Sequence, residues 1–338
     1  MKTIITSVKG PPLRRVLCSF LCSAVAFCVV PTNIQAANIQ AAGDIVWVST
    51  GNSIAAYYSN GTALNSFNLI TDQSWPGPYG ILVSGHYLYV PTDWWACCPN
   101  MSFLYALQKH EAYYVFATYN ADTGSVINSS RYTLFSVPFI PRGMAQSSAG
   151  LFVANQQGSI AKGGNLYFIQ SAVTKAPYAL AVDGPANVLY VTNNSQNSNG
   201  NFYISTYNAQ TGLLLNGYFI EIPTGGLYGL ALSQDNKTLY VSVYSGSAPG
   251  VYTYDVSNKT LPTGQLIKGP FVSVNEPWGI AIGSPPPNGK NPTLYVASNQ
   301  DSAIYEFDAI NGGQPFNSIK LSGAPTNITV EPAAALSK

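Results

Sequence analysis

The stretch "PYALAVDGPANVLYVTNNSQNSNGNFYISTYNAQTGLLLNGYFIEI" runs from Pro177 to Ile222. It holds four short apolar or alternating runs. The first two, "PYALAV" and "LYVTN", are joined by "VDGPAN", which has the Gly, Pro, Asn and Asp that hairpin turns require. A polar loop, "NNSQNSNG", leads into "FYISTYNAQTG". Apolar and polar residues alternate there until a turn closes it, as in a strand entering a hairpin. "LLNGYFIEI" completes the unit. The polar loop has no His, Cys, Asp or Glu, so it reads as a connection rather than a catalytic device.

The unit recurs along the chain. Aligned on Pro, any residue, a small residue and an apolar run, starts fall at "PYGILV" (Pro78), "PRGMAQ" (Pro141), "PYALAV" (Pro177), "LYGLAL" (Leu227), "PWGIAI" (Pro277) and "PTNITV" (Pro325). The last three intervals are 50, 50 and 48 residues. The first two, 63 and 36, average to the same length, so one unit carries an insertion and its neighbour is short. Second runs follow at "YLYVPT" (Tyr87), "LFVAN" (Leu151), "LYVTN" (Leu189), "LYVSV" (Leu239) and "LYVAS" (Leu294). Four short strands in roughly 50 residues are the content of one propeller blade. A lone blade cannot bury both faces, but blades fanned around an axis cover one another.

The last start has no second strand after it, whereas "DIVWVSTGNSIAAYYSNGTALNSFNLI" (Asp44 to Ile70) reads as strands two to four of a blade without its first. The expectation is an all-β, six-bladed β-propeller over residues 44–332. Its C-terminal strand near Ile328 pairs with the N-terminal strand holding Trp47. Seven blades is the alternative, with the insertion after Pro91 as the place for the extra one. Residues 333–338 are a tail.

Residues 1–36 read as a signal peptide. Lys2, Lys9, Arg14 and Arg15 precede the apolar "VLCSFLCSAVAFCVV" (Val16 to Val30), short for a membrane span, and small residues near Ala36 follow. A secreted or periplasmic location follows, with no membrane span after signal removal. Taking those four from 15 basic residues leaves 11 against 14 acidic ones, a net of −3. Charged residues are only 9% of the chain. That balance offers no basic patch for nucleic acid. Of five cysteines only Cys97 and Cys98 lie beyond the signal segment.

The pattern P-x-G-I-A-V, then L-Y-V-A-[DN], then I-x-x-[FY]-[DN] resembles the NHL-repeat and YncE-like group of β-propellers, over Asp44 to about Pro332. The resemblance implies the architecture. It implies no single activity, since the group includes binding scaffolds, lyases and lactonases.

In a propeller the loops entering first strands and leaving second strands share one rim. Two rings of residues follow. The first is the residue after each start: Tyr79, Arg142, Tyr178, Tyr228, Trp278 and Thr326. Four aromatic rings and one guanidinium suit stacking on a sugar or an extended peptide, and equally suit packing between blades. The second ring is the position that carries Asp in related repeats: Thr50, Thr92, Asn155, Asn193, Val243 and Ser298. The gluconolactonase type implies a divalent cation held by carboxylates and an Asn. Asn155 and Asn193 offer carbonyls there, but no acid stands in the ring, and a hard cation needs negative oxygen ligands. Asp93 and Asp301 are near in sequence only. The lyase-like reading wants His and Glu late in the chain, and both histidines, His86 and His110, are early.

The insertion "TDWWACCPNMSFLYALQKHEA" (Thr92 to Ala112) should lie over the same rim, with Trp94 and Trp95 as further ligand-facing rings. Three readings of Cys97 and Cys98 stay open: a vicinal disulfide, free or intermolecular thiols, and a metal site with His110. No paired carboxylates, phosphate loop or nucleophile elbow occurs. No metal or cofactor is called for. The expected function is an exported binding module for a carbohydrate, peptide or protein ligand at the aromatic rim. The alternatives are a lactonase-like hydrolase or lyase and a structural envelope protein.

Overall fold

The computed structural model describes residues 43–50, 53–64, 80–84, 87–94, 111–120, 126–135, 140–163, 165–223, 225–258 and 263–331. The signal segment, Tyr79, Trp95, Cys97, Cys98 and the tail lie outside them. Every element is a strand. No helix among the described residues is long and apolar enough to cross a membrane.

Five sheets have four antiparallel strands each. They are β3–β6 (Leu82–Ser84, Tyr87–Trp94, Glu111–Asn120, Val126–Phe135) and β7–β10 (Pro141–Ser147, Gly150–Asn155, Ser159–Lys162, Asn165–Ile169). Next come β11–β14 (Pro177–Asp183, Val188–Asn193, Phe202–Asn208, Leu214–Ile222) and β15–β18 (Leu227–Leu232, Thr238–Val243, Gly250–Asp255, Gln265–Ser273). The last is β19–β22 (Pro277–Ile282, Thr293–Ser298, Ala303–Asp308, Gly312–Lys320). A further sheet joins the two ends of the chain: β1 (Ile45–Thr50), β2 (Ser53–Tyr58) and β23 (Pro325–Glu331), in the order β2-β1-β23. Trp47 lies opposite Thr329 and Val48 opposite Ile328, so the C-terminal strand is the first strand of the sheet that the N-terminus begins.

The fold is an all-β propeller. The expectation of six four-stranded blades, with seven as the alternative, is corrected: five four-stranded blades are present among the described residues, and the sheet of the two chain ends has three strands. The stretch that would supply its outer strand, 65–70, lies outside the described residues. Most of the insertion after Pro91, residues 95–110, lies outside the described residues; at its edges Trp94 of β4 pairs with Tyr113 of β5.

Packing explains the repeat. Five of the six residues at the second position of "LYV" and its equivalents, Trp47, Phe152, Tyr190, Tyr240 and Tyr295, are at most 2% exposed, and the sixth, Tyr89, is half-buried. Each stands in the apolar layer between neighbouring sheets, where burying one such ring contributes about 2–3 kcal/mol. Second strands such as β12 and β20 are buried on both faces because sheets flank them on either side. Outer strands such as β14 and β22 are largely exposed.

The Pro-x-Gly start is a β-bulge. Pairing of first to second strand shifts register between Pro141 and Met144, Pro177 and Leu180, Leu227 and Gly229, and Pro277 and Ile280. A bulge re-aims a side chain, and here it turns the middle residue to the rim. The glycine answers a second need. A Cβ on Gly143 would come 2.7 Å from the Tyr178 carbonyl oxygen, on Gly229 2.4 Å from that of Trp278, and on Gly279 2.7 Å from the Ile328 nitrogen. First strands of successive sheets therefore approach backbone to backbone around the axis.

Candidate functional site

The first strands enclose an axial channel of about 260 Å³, lined by Leu82, Met144, Leu180, Leu230, Ile280 and Ile328 among others. Its described lining has no acidic or basic side chain. Aromatic and charged side chains gather at its mouth.

There the bulges of four successive blades place Arg142, Tyr178, Tyr228 and Trp278 in one line of contact. The Arg142 guanidinium sits 5.4 Å from the Tyr178 ring centroid. Tyr178 meets Tyr228 edge to face at 4.6 Å, and Tyr228 stacks on Trp278 at 4.8 Å with 23° between planes. Tyr178 is 4% exposed, whereas Arg142, Tyr228 and Trp278 are half-buried and keep surface toward solvent. Thr326, the sixth of the ring, shares its hydroxyl with Ser49 at 2.9 Å. Trp94 ends strand β4.

Small hydroxyls next to the bulges hold this geometry. Ser242 donates to the Trp278 carbonyl at 2.7 Å, and the Ala179 N–H donates to Thr192 Oγ1 at 2.7 Å.

The second predicted ring takes other work. Asn155 is 2% exposed; its Oδ1 accepts from the Ile140 N–H at 2.9 Å and its Nδ2 donates to Ser159. Asn193 is fully buried; its Oδ1 accepts from the Lys175 N–H at 2.9 Å and its Nδ2 donates to Ser205. Ser298 likewise donates to the Asn275 carbonyl at 2.7 Å. Each ties the loop that enters its blade to the end of the second strand. Asp301 accepts from Ser298 and Tyr305 within its own hairpin.

The residues that do reach the rim lie one position later. Gln156 Oε1 accepts from Arg142 Nε at 2.8 Å and also from Nη2, which fixes the guanidinium. Tyr244 packs on Tyr228 at 4.9 Å and on Trp278 at 6.0 Å. Burial raises the Tyr244 hydroxyl pKa, and the Glu276 carboxylate beside it raises it further. Gln156 and Tyr244 each follow directly on the last residue of a second strand, in the connection that leaves it.

The divalent cation of gluconolactonase-type propellers does not fit these residues. No three His, Cys, Asp or Glu side chains come together among the described residues, and both asparagine carbonyls are engaged by backbone.

No family model matches the chain, and no curated protein matches it. Solved structures do. One is that of a nidogen/laminin complex, with a TM-score of 0.59 and 12% identity over 88% of this chain and 100% of that one. Another is the Pseudomonas aeruginosa periplasmic gluconolactonase PpgL, at 0.55 and 12% over 86% and 99%. A 6-phosphogluconolactonase candidate from Bacteroides fragilis scores 0.54 at 15% over 86% and 98%. At these identities the likeness establishes the fold, a β-propeller, and does not reach the NHL-repeat and YncE-like group.

Proposed function

We propose that the rim formed by Arg142, Tyr178, Tyr228, Tyr244 and Trp278 binds a sugar-derived ring, and that lactone hydrolysis is the activity it fits best. The observation that carries this is the unbroken contact line from guanidinium to indole across one channel mouth. Stacked, half-buried aromatic faces suit the apolar face of a sugar ring. Arg142 is the cation placed to face an oxyanion developing on an ester carbonyl. Glu276, beside Tyr244, is the carboxylate on this rim suited to accept a proton from water. Propeller neighbours named as lactonases support the reading. Export by residues 1–36 would place the rim in a secreted or periplasmic setting, in keeping with the periplasmic neighbour.

A second reading, binding without turnover by an interaction module, is favoured by the hold of Gln156 on Arg142. One experiment separates them. The full chain is offered aldonolactones, with acid release followed by pH-stat and binding by tryptophan fluorescence. Hydrolysis that Arg142→Gln abolishes in a folded protein supports the enzyme. Saturable binding without acid release, lost in Trp278→Ala, supports the module. Neither signal would overturn both.

A further inference from the structure

The seam where the chain's two ends close the ring carries a buried polar cluster unrelated to the rim. Asp44, just before β1, is 2% exposed, and Glu306, in the middle of β21, is also 2% exposed. Asp44 Oδ2 accepts from the Ser284 N–H at 2.8 Å and from the Tyr295 hydroxyl at 3.1 Å. Tyr295 lies directly across the ladder from Glu306. On its other side Glu306 faces Asn317, whose Nδ2 donates to Glu306 Oε1 at 3.1 Å and to the Ser59 carbonyl at 2.7 Å. One side chain of the β19–β22 blade thus bridges an acid to the end of β2.

We infer that this Asp44–Tyr295–Glu306–Asn317 cluster is a pH-sensitive latch on ring closure, tightest when Glu306 carries a proton and loosened when it ionises.

The geometry favours a proton in the cluster. Two carboxylates meet around one tyrosine, and Asp44 is the charged group that acts on Glu306. The charged groups on the packed strands are Asp308, Glu331 and Lys320, the last at the end of β22 and opposite Ala303, three positions along β21 from Glu306. Asp308, two positions along β21, is held by Asn291 and Asn311. Glu331 on β23, opposite Ile45, is another carboxylate. Tyr295 is pushed well above its ordinary range by burial and the neighbouring acids. Burial, aided by Asp44 and opposed by the Asn317 hydrogen bond, raises Glu306 from 4.5 to about 7. Neither side can give room. A Cβ on Gly283 would come 2.1 Å from Asp44 Oδ2, and one on Gly43 2.1 Å from Ser59 Oγ.

The sign follows from linkage. An acid whose pKa is raised on folding binds more protons folded than unfolded between the two values. Its stabilisation is complete below pH 4.5 and is lost as pH rises through about 7. The folding equilibrium should weaken of the order of a hundredfold across that window.

The test is urea unfolding of the full chain from pH 4.5 to 8. It is paired with hydrogen exchange of β1 and β23 peptides relative to β12, a ratio in which the intrinsic pH dependence of exchange cancels. The wild type should lose unfolding midpoint with rising pH, with β1 and β23 opening first. Glu306→Gln should flatten both trends. A wild-type midpoint that is level or rises, or a Glu306→Gln protein that keeps the full slope, overturns the latch. If Glu306→Gln does not fold, Asp44→Asn, which removes the charge that acts on Glu306, should shift the midpoint of the stability trend to lower pH, and an unshifted trend overturns the proposal.

Discussion

Gly229→Ala tests whether the repeat's glycine exists for close approach of first strands. The new Cβ would stand 2.4 Å from the Trp278 carbonyl oxygen, 2.9 Å from Ser242 Oγ and 3.1 Å from Ile280 Cγ1. Comfortable contact is about 3.5 Å, so β15 and β19 must part by roughly 1 Å. The nearest atom is backbone and cannot rotate away. Overpacking of this kind costs about 1–3 kcal/mol. Stretching the 2.7 Å bond from Ser242 to the Trp278 carbonyl adds about 1 kcal/mol. The lower entropy of the unfolded alanine chain returns about 0.5 kcal/mol. A net loss of about 2–3 kcal/mol should lower Tm by roughly 3–5 °C in a domain of this size. Scanning calorimetry reads it. Gly184→Ala is the control, because a Cβ there meets only Ser147 Cβ at 3.6 Å. Equal melting of Gly229→Ala and Gly184→Ala would refute the account. Since the strain bears on the Trp278 backbone, the stack on Tyr228 should shift too, visible as a changed tryptophan emission.

Asn193→Ala should cost about 2–4 kcal/mol in urea unfolding, because its buried carboxamide holds the Lys175 N–H and Ser205. Ligand affinity of the surviving folded fraction should not move, which separates a bracket from a binding residue. Tyr240→Phe removes a buried hydroxyl that donates to the Ala309 carbonyl at 2.6 Å. It should cost about 1–2 kcal/mol, with the far-ultraviolet spectrum unchanged. Gln156→Ala frees the Arg142 guanidinium and should weaken ligand binding by several-fold while Tm changes by no more than about 2 °C, read by titration and melting in parallel.

Strand order and ring closure were legible because each unit repeats the same run of buried positions. Leu189, Tyr190 and Val191 match Leu239, Tyr240 and Val241, and all six are buried. The pairing of Val48 with Ile328 was legible from what each end lacked: a first strand at one, its partners at the other. The first rim ring was legible for a local reason, since Pro and Gly fix the bulge around a single free residue. Asn155 and Asn193 drew attention through their side-chain chemistry; their carbonyls are engaged by loop backbone, and Gln156 and Tyr244, each just past the end of a second strand, are the side chains in contact with the first ring. The latch was legible only in part. Tyr295 and Glu306 face each other across one hairpin, but Asp44 is 251 residues from Tyr295 and only ring closure brings it to them.

The bulge itself explains why the aromatic line invites a functional reading. Its flanking positions are constrained: proline or leucine before, a small residue after, with backbone only 2.4–2.7 Å from any added Cβ at Gly143, Gly229 and Gly279. The middle position is not. It accepts arginine at 142 and threonine at 326 in sheets that form the same bulge. Aromatic residues at 178, 228 and 278 are therefore a choice beyond what the fold requires, and they fall on adjacent blades, giving the mouth one aromatic side and one cationic edge. Trp278→Thr puts this to the test, because threonine already occupies the equivalent place in the closing sheet. Loss of the stack with Tyr228 should cost about 1 kcal/mol beyond the lost burial, and the propeller should stay folded. Ligand binding should fall at least tenfold. A variant that unfolds would mark the ring as packing, and one that binds as before would take Trp278 out of the site.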